Sequence, residues 1–161
     1  MATVYISIGS NIEPAKNIHA SLKDLEAHYG VIQQSPVYES AAVGFEGDDF
    51  YNLVVAFDTT DDVLTVNQTL ADIEAANGRV RTDKKFSART LDLDLLLYDE
   101  LIFEQGKLRL PRDEIFKYAF VLRPLFDLIP QQKHPETGQT YAEIWENFDQ
   151  DTQPLHLIHL F

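Results

Sequence analysis

The sequence contains no cysteine, which excludes disulfide bridges, thiolate metal sites and cysteine nucleophiles. Any catalytic chemistry must therefore use oxygen or nitrogen groups, or a bound metal. No apolar run approaches the length of a membrane span, about 18 residues, and the first residues lack the basic and apolar segments of a signal peptide. We expect a soluble, cytoplasmic protein without a membrane contact.

Positive charge is scarce, with 13 Lys and Arg against 26 Asp and Glu and a formal net charge of −13. This balance argues against broad binding to nucleic acid or to an anionic membrane. The few cations are also unevenly placed. Residues 24–78 contain no Lys or Arg, whereas the 11 residues from 79 to 89 contain five.

The length of 161 residues and a hydrophobic content of 45% are typical of one globular domain, and no repeat or linker interrupts it. We therefore predict a single domain over residues 1–161. Disorder and fibrous repeats are excluded.

Apolar periodicity predicts the order strand, helix, strand, strand, helix, strand. The strands are predicted at residues 3–8, 31–39, 51–59 and 91–97. A first helix begins near Pro14 and ends at Gly30, and a second follows a cap at Asp61 or Thr60 and ends at Gly78. This βαββαβ order predicts an α+β fold with a ferredoxin-like core, an antiparallel sheet carrying two helices on one face. A hairpin at 101–110 and short helices at 120–128 and 141–148 complete the prediction.

Asp92 and Asp94 are the sharpest candidates for chemistry. On a strand, residues two apart point the same way and lie about 7 Å apart, while Leu91, Leu93, Leu95 and Leu97 are expected on the other face. Two such carboxylates suit Mg²⁺, including a two-metal site. The alternative is an ordinary solvent-facing polar stripe.

The basic segment before this strand bears on that choice. Its cations are Arg79, Arg81, Lys84, Lys85 and Arg89. A polyphosphate bound beside the two aspartates would need both metal ions and guanidinium groups. A solvated loop remains the alternative. The ten-residue connection 40–49 between the second and third strands is also longer than a hairpin needs, which favours a binding loop.

Several segments together resemble a known enzyme family. The run RTLDLDLL at 89–96, with GRVR at 78–81 upstream, is similar to the signature of the 6-hydroxymethyl-7,8-dihydropterin pyrophosphokinases of folate biosynthesis. The resemblance extends to YISIGSN at 5–11, SPVYES at 35–40, YNLVV at 51–55 and AFVLRPL at 119–125. It covers residues 3–130 in a consistent order.

The resemblance implies transfer of a pyrophosphoryl group from ATP to the hydroxymethyl oxygen of the pterin, with release of AMP. It assigns two Mg²⁺ ions to Asp92 and Asp94. Together with the phosphate-contacting Arg79 and Arg89, these two aspartates form the expected catalytic set. The remaining ATP contacts that it implies, or that the basic residues suggest, are Glu74, Arg81, Lys85 and Arg112. The implied pterin contacts are Ala42, Val43, Asn52 and Phe120, and Phe86 takes a lid position.

Two positions depart from the family pattern. Arg112 follows Pro111 where the family usually has histidine, and Tyr118 stands where it usually has arginine. Both usual residues help to hold the triphosphate, so a non-catalytic or weakly active nucleotide- and pterin-binding paralogue is the alternative. A third reading is a partner-binding module whose acidic surface meets a basic protein. We expect a monomer whose substrates are ATP and the hydroxymethyl dihydropterin.

The remaining candidates are given structural roles. His134, His156 and His159 are expected to be structural or surface residues, because no carboxylate or cysteine accompanies the pair His156 and His159. Trp145 is expected to pack in the core. The turn at 9–11 lacks the lysine of a phosphate-binding loop, so we expect tight packing beneath the site there.

Overall fold

A central antiparallel sheet flanked by helices organises the chain. The computed structural model describes residues 1–41, 48–78 and 91–160. In this part the strands are β1 Ala2–Ser10, β2 Gln33–Gln34, β3 Val37–Ser40, β4 Phe50–Thr59, β5 Asp92–Tyr98, β6 Phe103–Gln105, β7 Leu108–Leu110 and β8 His156–Ile158. The helices are α1 Pro14–Tyr29, α2 Val63–Ala76, α3 Ala119–Leu128 and α4 Tyr141–Glu146, with 3₁₀ helices at Asp113–Phe116 and Gln150–Thr152.

The sheet has the order β5-β1-β4-β3-β8, and β2 also pairs with β4. All of these pairings are antiparallel. The predicted hairpin at 101–110 is present as β6 and β7, which form a separate two-stranded sheet among the described residues. The mixed α and β composition and the antiparallel sheet confirm the coarse fold prediction.

Each face of the sheet carries its own apolar core. Alternating residues of β1 and β4 point to opposite faces, as the period of two requires. One core packs the strands against α1 and α2 and contains Ile6, Leu53 and Leu70. The other packs them against α3 and α4 and contains Tyr5, Val54 and Leu122. The sequence pattern gave no face to α3 and α4, and the structure places them opposite α1 and α2.

Helix ends follow from local chemistry. Pro14 begins α1, as predicted, and Gly30 ends it with φ of 80° and its N–H donating to the Glu26 carbonyl. The predicted cap of α2 at Asp61 or Thr60 is wrong by one or two residues. Asp62 is the cap, because its Oδ1 accepts the Thr65 N–H at 2.8 Å.

The predicted strand at 31–39 is divided into β2 and β3 around Pro36. Proline has no N–H to contribute to a ladder. Just before it, Ser35 replaces regular pairing: its N–H donates to the Val54 carbonyl and its hydroxyl accepts the Val54 N–H, both at 2.9 Å. Strand β8, which sequence periodicity missed, covers the outer edge of β3.

The expectation that Leu97 shares a face with Leu91, Leu93 and Leu95 is wrong. The pairing of β5 with β1 shifts register, so that Ile6 faces Leu95 and Tyr5 faces Leu97. Such a bulge reverses the alternation beyond it. Leu91, Leu93 and Leu95 therefore join the core under α1 and α2, whereas Leu97 joins the one under α3 and α4.

The remaining structural candidates lie as expected. Trp145 stacks between Phe126 and Phe148, at centroid distances of 6.3 and 5.8 Å. His134 is 2% exposed, and its Nδ1 accepts the Glu136 N–H at 3.2 Å. Within the described ranges, no helix is long and apolar enough to cross a membrane.

A pH-dependent contribution to stability follows from His134. Burial lowers its pKa, against the opposing charge of Glu136. The folded state therefore favours neutral imidazole, and the stabilisation present above pH ~6.5 is lost as the pH falls and the unfolded chain takes up the proton. In His134→Asn, an amide oxygen can still accept the N–H but cannot titrate.

As the pH is lowered from 7.5 to 5.5, we expect the unfolding free energy of the wild type to decrease relative to that of His134→Asn. Urea unfolding at three pH values in this range measures it. Comparison with the variant subtracts the titration of all other groups. A difference that stays constant with pH would contradict this role of His134.

Candidate functional site

A row of residues in register crosses four strands at one end of the sheet. Asn52 on β4 faces Tyr38 on β3 and Gly9 on β1, and Gly9 in turn faces Asp92 on β5. Because Asn52 shares its face with Val54, the row lies on the side covered by α3. Asn52 and Asp92, predicted for different ligands, thus flank a single glycine.

Gly9 leaves the space that the Asn52 amide occupies. A Cβ at Gly9 would lie 2.7 Å from Asn52 Oδ1, closer than side chains approach one another. Asn52 is only 3% exposed, and its Nδ2 donates to Ser40 Oγ at 3.3 Å. The sequence predicted tight packing here within a turn at 9–11; the close packing is present, but Gly9 and Ser10 belong to strand β1 and not to a turn.

Asp94 lies one pleat further along β5, opposite the buried Ser7. Its side chain is 31% exposed. Burial is the main cause that raises the pKa of Asp94, to about 6; the charge of Arg112 opposes this shift, and those of Asp92, Glu114 and Glu74 add to it. The neighbourhood of Asp94 therefore holds more negative than positive charge among the described residues, which favours a bound cation.

Glu74, predicted near the nucleotide, has a structural contact in the protein. It is 2% exposed, and its Oε2 accepts the Leu93 N–H at 2.8 Å. Leu93 stands between the two aspartates on β5, which lies at one end of the sheet in the part of the chain that the structure describes. The buried carboxylate of Glu74 thus accepts a backbone N–H of β5 that needs a partner. This contact links α2 to the segment that carries the two aspartates. Contact of Glu74 with ATP stays a prediction.

Arg112 reaches the same cluster from the 3₁₀ turn after β7. Its Nη2 lies 3.5 Å from Asp94 Oδ1, and its Nε pairs with Glu114 Oε2. Burial lowers the pKa of Arg112, but Asp94 and Glu114 outweigh it and the net shift is upward. The guanidinium therefore stays charged beside Asp94.

Phe120, a predicted pterin contact, is partly buried at the start of α3. Its ring stacks on Tyr118 with 5.0 Å between centroids and 16° between planes. Helix α3 is fastened to the sheet at its other end, where Asp127 Oδ2 accepts the Tyr38 hydroxyl at 2.5 Å and Oδ1 lies 3.1 Å from Arg123 Nε.

The predicted site residues fall into two groups. The structure places Asp92, Asp94 and Arg112 around β5 and Asn52 in the adjoining row, with Glu74 behind them. It places Phe120 at the start of α3. Six others lie outside the described residues and stay predictions: Ala42, Val43, Arg79, Arg81, Lys85 and Arg89. So do Phe86 and most of the loop 40–49. Sequence reasoning missed Glu114, whose only signal was its spacing of two from Arg112.

The donor set fits magnesium with substrate present. No group of three or more His, Asp or Glu side chains converges as a complete metal site within residues 1–41, 48–78 and 91–160. Mg²⁺ does not require one, because it commonly takes one or two carboxylates and completes its shell with water and substrate phosphates. Asp92 and Asp94 supply such a pair.

Removal of the Glu74 carboxylate is expected to loosen β5 beside the aspartates. In Glu74→Ala the Leu93 N–H loses a buried acceptor, which typically costs about 1–3 kcal/mol of unfolding free energy. Amide exchange at Leu93 should accelerate relative to amides of β4. Urea unfolding and NMR hydrogen exchange measure the two effects. Glu74→Gln, which keeps an acceptor oxygen, is the control and should lose less; equal protection of Leu93 in all three proteins would contradict the role.

Comparison with known proteins identifies a family and several relatives of the chain. The family model described as 7,8-dihydro-6-hydroxymethylpterin-pyrophosphokinase matches residues 5–130. A 2-amino-4-hydroxy-6-hydroxymethyldihydropteridine pyrophosphokinase of Pseudomonas aeruginosa is 38% identical over 137 residues, which are 83% of this chain and 84% of the relative. The enzyme of the same name from Haemophilus influenzae is 32% identical over 152 residues, covering 92% and 94%.

Solved structures show the same fold. A wild-type Plasmodium falciparum HPPK-DHPS crystal structure with pterin and p-hydroxybenzoate matches with a TM-score of 0.73 at 15% identity, and 90% of this chain is covered. The wild-type structure with SDX-DHP gives a TM-score of 0.70 and covers 91%. The chain spans only 42% and 43% of those longer chains, respectively. By its sequence match over most of its length, the chain belongs to the 7,8-dihydro-6-hydroxymethylpterin-pyrophosphokinase family.

Proposed function

We propose that the row through Tyr38, Asn52, Gly9 and Asp92, extended by Asp94, is the active site of a pyrophosphokinase. The chain transfers a pyrophosphoryl group from ATP to the hydroxymethyl group of 6-hydroxymethyl-7,8-dihydropterin, the activity that its family and curated relatives carry. The observation that carries the proposal is the register, which sets the amide of Asn52 and the carboxylate of Asp92 on either side of Gly9. The proposed pterin-binding residue Asn52 and the proposed metal-binding residue Asp92 are therefore neighbours in the sheet.

On the phosphate side, Asp92 and Asp94 would hold two Mg²⁺ ions. The ions supply positive charge that neutralises the polyphosphate and the charge that develops during transfer. Arg79, Arg81, Lys85 and Arg89 are proposed to orient phosphate oxygens, with Arg112 in the place of the usual histidine. Asp92 and Asp94 are also the carboxylates of this row that could accept the proton of the pterin hydroxyl.

On the pterin side, Asn52 offers both a donor and an acceptor to the ring edge. Phe120, already stacked on Tyr118, presents an aromatic face suited to the flat ring. Backbone groups of Ala42 and Val43 are proposed to complete the contact. Catalysis would come mainly from positioning the two substrates and from stabilising charge on the phosphates, since phosphoryl transfer of this kind needs little covalent chemistry from the protein.

We also propose the finer description of the fold. The strand order β5-β1-β4-β3, with α1 and α2 on one face, supports a ferredoxin-like βαββαβ core. Strand β8 and the α3–α4 pair then extend this core within one domain of 161 residues. They cover a sheet edge and the face that carries the row.

A weakly active or non-catalytic pterin- and nucleotide-binding protein is the second candidate. It is favoured by Arg112 and Tyr118, which stand where the family usually has histidine and arginine. Tight calorimetric binding of ATP and of the pterin, without AMP formation on prolonged incubation, would support it over the enzyme.

The assay for AMP formation from ATP, Mg²⁺ and the hydroxymethyl dihydropterin tests the proposal. We expect turnover by the wild type and a loss of at least about a hundredfold in kcat for Asp94→Ala, since a charged group at the reaction centre is removed. Glu104→Ala, which removes an exposed carboxylate in β6, is the matched control and should retain wild-type turnover. Near-normal activity of folded Asp94→Ala would remove the metal assignment, and absence of AMP at high wild-type concentration would remove the activity.

A double-mutant cycle tests the pterin end. In Gly9→Ala the new methyl group should displace the Asn52 amide, at a cost of about 1–3 kcal/mol in unfolding free energy. The Kd for the pterin should rise about tenfold or more, with a smaller change for ATP. In an Asn52→Ala background the same methyl group meets no amide, so its cost to stability should largely disappear. Additive effects of the two substitutions would contradict the close contact.

A further inference from the structure

Arg112 is held in place by three contacts and is not a free surface cation. Its backbone N–H donates to the Leu96 carbonyl of β5 at 3.1 Å. The 3₁₀ turn that follows is anchored by Ile115, which is fully buried. Glu114, one residue before Ile115, grips the guanidinium through its two carboxylate oxygens. The Arg112 side chain is only 26% exposed.

These contacts aim the guanidinium at one of the proposed metal-binding carboxylates. Arg112 Nη2 lies 3.5 Å from Asp94 Oδ1, while its Nε faces Glu114. Glu114 is itself 22% exposed, so the three charges form a partly desolvated chain in the order Asp94, Arg112, Glu114. In such a setting charges interact more strongly than on an open surface.

We propose that Arg112, positioned by Glu114, is the counter-ion of Asp94 in the nucleotide-free protein, so that a divalent cation enters with the nucleotide and not alone. The inference rests on the proposed metal-binding role of Asp92 and Asp94. A free cation must displace or approach the guanidinium, whereas a cation bound to a polyphosphate brings anionic oxygens that the guanidinium can bind instead. Arg112 therefore changes partner, from the Asp94 carboxylate to phosphate.

This exchange predicts opposite effects on two binding reactions. Removing the Arg112 charge should strengthen binding of a free cation, since it removes both a competing ion pair and a repulsion. It should weaken binding of the cation–nucleotide complex, since it removes a phosphate contact. A purely structural role for Arg112 would weaken both. Partly exposed ion pairs contribute little free energy, so we expect each of the two dissociation constants to change by roughly five- to tenfold.

Binding of Mn²⁺, followed by the EPR signal of the free ion at ~0.15 M salt, is the first measurement. Arg112→Gln should bind Mn²⁺ five- to tenfold more tightly than wild type, by rough expectation. Arg112→Lys, which restores a positive charge, should return most of the way to wild type. Binding of Mn²⁺·ATP, measured by calorimetry, should be weaker in Arg112→Gln than in wild type.

Arg109→Gln is the matched control. It removes the same charge three residues away, where the guanidinium pairs with Asp113 and Glu136 at 2.9 and 3.1 Å. Its Mn²⁺ affinity should stay within about twofold of wild type, because this guanidinium pairs with carboxylates other than Asp94 and salt screens the change in net charge. Thermal unfolding of each variant confirms that the compared proteins are folded.

The outcomes separate this inference from the proposed function. Equal shifts in Arg112→Gln and Arg109→Gln would overturn the inference, as would unchanged, weaker or undetectable Mn²⁺ binding in Arg112→Gln. Asp94→Asn in the Arg112→Gln background tests whether Asp94 holds the cation, because it should abolish the Mn²⁺ binding that Arg112→Gln gains. If the double variant binds Mn²⁺ as tightly as Arg112→Gln does, the metal assignment of the proposed function fails, whatever Arg112 does.

Discussion

The close approach of the Asn52 amide to the backbone of β1 at Gly9 is the constraint on which the candidate site depends. Strand β1 lies between β4 and β5, and the absence of a side chain at Gly9 lets the Asn52 amide lie over the backbone, 2.7 Å from where a Cβ would be. The same register brings Asp92 to the other side of Gly9. The distance between the two ends of the site is thus set by strand spacing, which is nearly invariant in sheets.

Charge is the second organising influence. Carboxylates gather around Asp94 in a partly buried setting, which raises its pKa to about 6 with burial as the main cause. Two of these carboxylates are stabilised by different partners. The buried Glu74 accepts a backbone N–H of β5, and Asp94 pairs with the guanidinium of Arg112. The large negative charge of the whole chain therefore says little about its ligands, since binding depends on this local arrangement.

Much of the architecture was predictable because its signals are local. Helix α1 begins at Pro14 and ends at Gly30 as residue chemistry requires, and the alternation of Asp and Leu from 91 to 95 placed both aspartates on one face. The errors lie where a distant residue intervenes. The bulge beside Tyr5 moved Leu97 to the opposite face of the sheet. Ser35 and Pro36 divide the predicted second strand into two. Strand β8 pairs with the edge of β3, a partner far away in the sequence.

The sequence by itself determined the order of elements from β1 to β5, apart from the division of β2 from β3, as well as the shared face of Asp92 and Asp94 and the resemblance that the family match confirms. Only the tertiary structure decided that Asn52 and Asp92 flank Gly9, that Glu74 supports Leu93, and that Arg112 pairs with Asp94 through the grip of Glu114. The physical reason is range. Periodicity and caps act within a turn or a pleat, whereas register, burial and counter-ion choice depend on residues far apart in the chain, brought together by packing on both faces of the sheet.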